Sequence, residues 1–469
     1  MRRDIVCSIG GGVLISILLT TIAMKITSSQ YPILSAIILL FTSVVLFFVS
    51  HSLIRGRFDT LELGIIMVTF YTLYSLAVPL RICFSPNVSS TELYITIHAL
   101  SLCLIGLISF IIGYHINIGK ALANTLPFLF KWNDLTRIKQ VAYLYVICGI
   151  LLYIGNVELK VGILNYIKAG YAGRALLKRE YGPVEIGIYI LQVGLILWSI
   201  YDFLLRKKLS YSLILVCILY TIISFMIGIR RPLLGLIMGV LAVRHYLVKQ
   251  IKIVELLTFL VIFFTLFSVF ACIRQPISYL GPINGLKYAI NNFSWDVFDP
   301  SKRELGAPFE SLLNSLKIIP YQKEYLYGLS YWQSVKVLLP KSLYPFQPLT
   351  LSEWYTTEFF TEEFIKIGGN MGFFVISEAY VNCGIGGIIL IMFALGFIFR
   401  MLYTYIRINS QNITLIFLYS LSLPWIPFYI RLDFASALKG FLFTTLIPAL
   451  LAVILISKSG GRNNDCKNK

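Results

Sequence analysis

The sequence predicts an all-α, polytopic membrane protein with about twelve transmembrane helices and one large, mostly helical outer loop. Three observations predict it. Of the 469 residues, 58% are hydrophobic and 13% charged, where a soluble domain carries roughly 25% charged residues. Apolar runs of about 20 residues recur from end to end, and a run of that length crosses the bilayer core as a helix. In lipid such a run must satisfy its own backbone, which a helix does.

Hydropathy places helices at 5–24, 31–54, 61–80, 93–115, 141–158, 184–205, 210–229, 231–248 and 251–273, which make a membrane domain over 1–273. A loop over 274–369 follows. Residues 370–457 hold the last three helices, at 384–405, 412–430 and 439–457, and 458–469 is a basic tail. The run Ile5 to Met24 follows "MRRD" and lacks a small-x-small cleavage site, so it reads as a first helix and signal anchor. The apolar piece from Asn370 to Cys383 is short, and reads either as re-entrant or as the outer part of the tenth helix.

Lysine and arginine set the orientation. With a cytoplasmic N-terminus, the inner loops are short and hold 20 of the 40 basic residues, and twelve spans return the basic tail to the same side. The 96-residue loop from Arg274 to Gly369 is long enough to escape the rule, and its nine basic residues face nine acids. Two shorter outer features carry unbalanced positive charge. One is "LKVGILNYIKAGYAGRALLKREYG" (159–182), which includes Arg174, Lys178 and Arg179. The other is "GIRRPLLG" (228–235), with Arg230 and Arg231. A solvated helix face and an anchor for lipid phosphates account for them separately; an anionic ligand on the outer face accounts for both together.

The eight cysteines lie mostly inside apolar runs with no C-x-x-C pair, and read as small buried hydrophobes. No P-loop, dinucleotide fingerprint or internal repeat is present, and nothing suggests nucleic-acid binding. None of the four histidines falls in an outer loop, which argues against histidine catalysis or a metal site there. No cofactor and no metal are expected.

Four groups of residues carry candidate chemistry. Pro232 suits the first position of a helix, so Arg231 stands beside the cap of the eighth helix. A helix N-terminus favours an anion, and two guanidinium forks match phosphate oxygens. Arg274, in "ACIRQP", falls at the same height. The second group is "LLPKSLYPFQP" (338–348), a proline-stiffened turn. It is either a rigid corner or a loop that holds Lys341 beside a sugar or phosphate. The third is the acids facing outward, Asp296, Asp299, Glu304, Glu310, Glu378 and Asp433, since a carboxylate can serve as the base that deprotonates a hydroxyl. Glu378 lies in the apolar stretch "GGNMGFFVISEAYVNCG", and an acid so placed in a membrane protein is a functional candidate. The fourth is "RLDFASALK", where Arg431 and Asp433 form either an ion pair or part of a site.

Taken together, these motifs resemble the Wzy-type polymerases, the oligosaccharide repeat-unit polymerases of bacterial O-antigen and capsule assembly, and most of all the enterobacterial-common-antigen branch. The resemblance rests on a "GxR" turn between two apolar helices, here "GIRRPLLGLIMGV", and on a loop Glu followed by leucines, here Glu310 in "PFESLL". A proline signature follows as "LPKSLYPFQP", then "SEAYVNCGIGG" with Glu378, Tyr380, Asn382 and Gly384. Order and spacing agree over most of the chain; the first 140 residues agree only in hydropathy. The family often has Arg or Trp where this chain has Lys341 or Tyr344, and a basic residue where Gln347 stands.

The resemblance implies an O-antigen polymerase in a bacterial inner membrane, with its loop and active site facing the periplasm. This glycosyltransferase of lipopolysaccharide biosynthesis would move a growing glycan from undecaprenyl pyrophosphate to the non-reducing end of a new lipid-linked repeat unit. Arg230, Arg231 and Arg274 would bind the donor pyrophosphate, and Glu310 or Glu378 would be the base. Arg174, Lys178 and Arg179 would hold the acceptor lipid. Lys341, Tyr344, Tyr380, Arg431 and Asp433 would contact substrate. A chain-length regulator and a flippase are the implied partners. Three rivals differ in sequence. An O-antigen ligase uses an outer-loop histidine. A polyprenyl-phosphate-sugar transferase places acids in its first outer loop, which is "KITSSQ" here. A lipid-linked oligosaccharide flippase has short loops on both sides.

Overall fold

The computed structural model describes residues 31–54, 59–85, 87–116, 118–125, 134–160, 186–227, 231–252, 282–293, 305–339, 346–366 and 370–457, with a few shorter pieces that include Trp132 and Tyr344. Among the described residues there is no strand. The helices are α1 (Pro32–Ile54), α2 (Leu63–Cys83), α3 (Ser90–His115), α4 (Ile118–Thr125), α5 (Leu135–Lys160), α6 (Ile186–Arg206), α7 (Tyr211–Ile227) and α8 (Arg231–Leu247). Five short ones follow: α9 (Pro282–Asn291), α10 (Ala307–Ile318), α11 (Leu329–Leu338), α12 (Leu351–Phe359) and α13 (Glu362–Lys366). Then come α14 (Val375–Ile408), α15 (Ile413–Ser422), α16 (Trp425–Arg431), α17 (Phe434–Phe441), a π-helical turn (Leu442–Leu446) and α18 (Ile447–Ser457).

Among the described residues, eight helical stretches are long and apolar enough to cross a membrane, consistent with a polytopic membrane protein. They are Pro32–Ser50, Leu63–Cys83, Ser90–His115, Leu135–Lys160, Ile186–Arg206, Val375–Ile408, Ile413–Arg431 and Phe434–Ser457. α7 and α8 have 17 residues each and fall short of that length. The expected helix at 5–24, most of that at 251–273 and the tail 458–469 lie outside the described residues.

The fifth helix starts six residues before its expected place, at Leu135, and three further boundaries differ from the hydropathy reading for a local reason. α14 begins at Val375 rather than 384, so the apolar piece before Gly384 forms the N-terminal part of that helix and is not a separate re-entrant segment. The join is a break, with Cys383 at φ −145° and Gly384 at φ 57°, ψ −143°. The latter conformation suits glycine. The carbonyls that the break releases find partners in the loop: Leu326 N–H donates to Val381 O at 3.0 Å and Tyr327 N–H to Asn382 O at 2.8 Å. The eleventh helix divides into α15 and α16 at Leu423 and Pro424, because Pro424 has no N–H to continue the ladder. The twelfth starts five residues early, at Phe434, where Asp433 caps it.

Two apolar cores organise the molecule. One joins α1, α2, α3 and α14 with α10 and α12, whose Phe309, Leu312 and Tyr355 pack with Phe373 and Phe374. The other joins α5, α6, α7 and α8 with α15 and α18. α3 and α14 run in backbone contact: a Cβ at Gly113 would collide with Phe393 O, and one at Gly396 with Phe110 O. Small residues let membrane helices approach this closely.

At the end of the bundle opposite Glu378, the segment Asp59 to Glu62 is buried and clasped by four helices, α3, α8, α14 and α15. Asp59 Oδ1 lies 3.0 Å from His245 Nε2, and its Oδ2 accepts from Tyr246 at 2.9 Å and Tyr403 at 3.1 Å. Ile251 N–H donates to His245 Nδ1, which leaves Nε2 to carry the ring proton toward Asp59. Glu62 accepts from the Tyr114 hydroxyl and pairs with Arg400 at 3.3 Å. The Tyr419 hydroxyl donates to Leu61 O. Burial pushes the Asp59 carboxyl up, but His245, the Leu61 N–H and Tyr246 together outweigh it and hold it below the usual carboxylate range. Burial wins at Glu62 and raises its carboxyl.

Candidate functional site

The chemistry-bearing residues converge where α11, α12, the start of α14 and the α16–α17 corner meet. Glu378 stands in the first turn of α14 and is 2% exposed. Its Oε1 accepts from Ser330 Oγ at 3.0 Å and its Oε2 from the Phe434 N–H at 2.6 Å. Phe434 is the first residue of α17, so this carboxylate sits at a helix N-terminus, where an anion is favoured. One turn further along α14, Asn382 Nδ2 donates to Ser330 Oγ at 2.7 Å and to Glu378 O at 2.8 Å.

Asp433 shares that N-terminus. It is 1% exposed, and its Oδ2 accepts from Ser436 N–H at 2.9 Å as the cap of α17. Its Oδ1 accepts from the Ser352 hydroxyl and, at 3.3 Å, from the Ser352 N–H. α12 is held in place to present Ser352 by a capping box between Thr350 and Glu353. A small open cavity is lined by both carboxylates together with Ser330, Gln333, Ser334, Val337, Thr350 and Leu351. A buried carboxylate on a cavity wall can accept a proton from a hydroxyl bound there.

Tyr331 adds a third polar group. Its hydroxyl oxygen is buried and has no hydrogen-bond partner among the described residues. It lies close enough to Glu378 to feel the carboxylate, and burial and that charge hold the phenol well above its usual range. The ring is fixed edge-on against Phe434 at 5.7 Å. A buried hydroxyl without a partner, beside a carboxylate and a cavity, is an available donor for a bound ligand.

The arginine turn meets the same corner. α8 begins at Arg231, followed by Pro232 as the helix-start preference of proline requires. The Arg231 guanidinium lies over the rings of Trp425 at 5.2 Å and Phe428 at 4.9 Å. Both rings belong to α16, and Trp425 is steadied by its Nε1 bond to Thr445 Oγ1 at 2.8 Å. Gly440 of α17 borders the fork, since a Cβ there would stand 3.3 Å from Arg231 Nη1. Gly440 is six residues beyond Phe434, which is about 9 Å of helix rise. A guanidinium over aromatic rings is held there by cation–π attraction, and its planar fork is of the shape that suits an anion.

The other expected residues take different places. Glu310 sits in the first turn of α10, near Tyr355 and outside the Glu378 bonds described above. Burial raises the Tyr355 phenol to about 12, with the nearby Glu310 charge adding to it. Tyr380 donates to Ile319 O at 3.4 Å and packs against Tyr325, so it ties the loop to α14. Arg431 brings its backbone carbonyl against Gly372, where a side chain would collide. Tyr344 is half-buried in the loop after α11. Arg230, Arg274, Arg174, Lys178, Arg179 and Lys341 lie outside the described residues.

Hydropathy reasoning missed Ser330, Ser334, Ser352 and Tyr331. The signal for Ser330 and Ser334 is the spacing in "LSYWQSVKVL", where they fall with Val337 on one helix face and are buried. Among the described residues no group of three or more His, Cys, Asp or Glu has the form of a metal site. Comparison of the chain with protein-family models, with curated proteins and with solved structures finds no match.

Proposed function

We propose that the protein is a glycosyltransferase that polymerises lipid-linked oligosaccharide repeat units at the outer face of a bacterial inner membrane. The observation that carries this reading is the convergence at one corner of two buried carboxylates on a cavity and an arginine held over two rings. Proton acceptance and pyrophosphate binding are the two tasks that transfer from a polyprenyl pyrophosphate donor sets. The motif resemblance supplies the substrate class.

In the reaction, the acceptor hydroxyl oxygen forms a bond to the donor's anomeric carbon. The bond from that carbon to the phosphate oxygen breaks, and its electron pair leaves with undecaprenyl pyrophosphate. Glu378 takes the hydroxyl proton, held toward the cavity by Ser330 and the Phe434 N–H. Asp433 fixes the α16–α17 corner through Ser352 and Ser436. Arg231 neutralises charge as the pyrophosphate departs, a role that the motif resemblance extends to Arg230 and Arg274. No step requires a metal. Membrane lipid surrounds the helices, and a chain-length regulator and a flippase complete the machinery.

Deletion in the producing cell tests this reading against its rivals. Loss of a polymerase leaves single repeat units on the lipid A core. Loss of a ligase leaves the core bare, and loss of a flippase traps repeat units on the inner face. A bare core or trapped units overturn the proposal.

A further inference from the structure

We infer that α11 is an interfacial helix, and that its outer face lies in the headgroup–acyl boundary of the bilayer. The inference rests on the membrane-length helices and is independent of the reaction proposed above.

Its depth follows from α14. From Gly384 to Phe399 that helix has sixteen residues without a charge, about 24 Å of helix against a hydrocarbon core of about 30 Å. Ile385, Ile389, Leu390 and Ile398 leave this stretch with an uncovered apolar face. Arg400 and Arg407 follow at one end, and the backbone break at Cys383 and Gly384 stands at the other. The hydrocarbon boundary therefore falls near the break. α11 is pinned at that height: Leu326 and Tyr327, just before it, bond to the carbonyls of Val381 and Asn382, and Ser330 bonds to Glu378 and Asn382.

α11 has two unlike faces. Ser330, Ser334 and Val337 are buried toward the cavity. The opposite face carries Leu329 at 45%, Trp332 at 67%, Val335 at 54% and Leu339 at 44% exposure. Nearby Tyr327, Phe346 and Leu349 are exposed as well. With ten residues the helix is too short to span. Its one charge, Lys336, is half-buried, and a lysine there reaches along the surface to the headgroups. A row of Leu, Trp, Val and Leu at the level where a membrane helix leaves hydrocarbon matches an interfacial helix, and tryptophan favours that level. Phospholipid is the occupant that this depth selects. The cavity with Glu378 then opens directly behind the headgroup layer.

Photo-crosslinking of the full chain in native membranes tests the placement. Trp332→benzoylphenylalanine leaves the fold alone, because the side chain is exposed; Val335→benzoylphenylalanine samples the same face one turn on. After irradiation, mass spectrometry of the chain is expected to show a phospholipid adduct at each position. An adduct to another protein means that the face is a protein interface, and no adduct means that it faces water. Either result overturns the inference.

Discussion

Tyr331 shows how a single atom separates stability from activity. A buried hydroxyl without a partner contributes nothing to folding and carries a desolvation cost of about 1–3 kcal/mol. Tyr331→Phe should therefore keep or raise the melting temperature of the purified chain while lowering glycan extension. A fall in both would assign the hydroxyl a structural bond instead. Arg231 makes the converse case. Its guanidinium lies over the rings of Trp425 and Phe428, and an ammonium has neither the plane nor the fork. Arg231→Ala should abolish extension at normal expression, and Arg231→Lys should restore little of it. Full-length polymer from Arg231→Ala would remove it from the reaction. At the opposite end, Asp59 accepts from two donors, Tyr246 and Tyr403, and stands 3.0 Å from His245 Nε2. Asp59→Ala leaves them unpaired in a buried setting, at a cost of about 3 kcal/mol. Because its folded carboxyl is held below the unfolded value, its stabilisation is present above the unfolded value and is lost as pH falls through the folded one. Glu62, raised by burial, acts in the opposite sense: its share is present in acid and lost as pH rises. Thermal unfolding from neutral to acid pH should thus show a steeper loss for the wild type than for Asp59→Asn. Equal slopes would contradict the assignment.

At the scale of elements, α14 carries the most information. Its break at Gly384 holds a backbone conformation that L side chains rarely adopt, and the Tyr325 hydroxyl lies 3.2 Å from where a Cβ would be. Gly384→Ala should cost about 1–3 kcal/mol and displace the loop segment that bonds Val381 and Asn382. A lowered melting temperature together with weaker hydrogen-exchange protection at Leu326 and Tyr327 is the expected result. An unchanged protection pattern would contradict it. Hydropathy located the tenth helix but started it at Gly384. Averaging along a window does not register a glycine that bends a helix while apolar residues continue on both sides. The same limit hid the division at Pro424 and the early start at Asp433. Both are settled by single residues, an imino nitrogen that cannot donate and a carboxylate that caps.

For the whole molecule, the sequence was legible where physics is one-dimensional. Apolar runs gave helices near the expected places among the described residues, and the loop at 274–369 gave the short helices α9 to α13. The candidate site was legible in part. Glu378 was visible as an acid in an apolar run, and Arg231 as a charge beside a helix-starting proline. That Ser330 meets Glu378 and Ser352 meets Asp433 was not visible, because 48 positions separate the first pair and 81 the second. Contacts at such separations come from tertiary packing, which no local pattern encodes. The central claim is that this corner joins repeat units, with Glu378 as the base. The direct measurement is chain extension by the purified protein in lipid vesicles, supplied with undecaprenyl-pyrophosphate-linked repeat units and read as a ladder on a gel. The account predicts a ladder from the wild type and none from Glu378→Gln at equal melting temperature. No ladder from the wild type, or an undiminished one from Glu378→Gln, would contradict it.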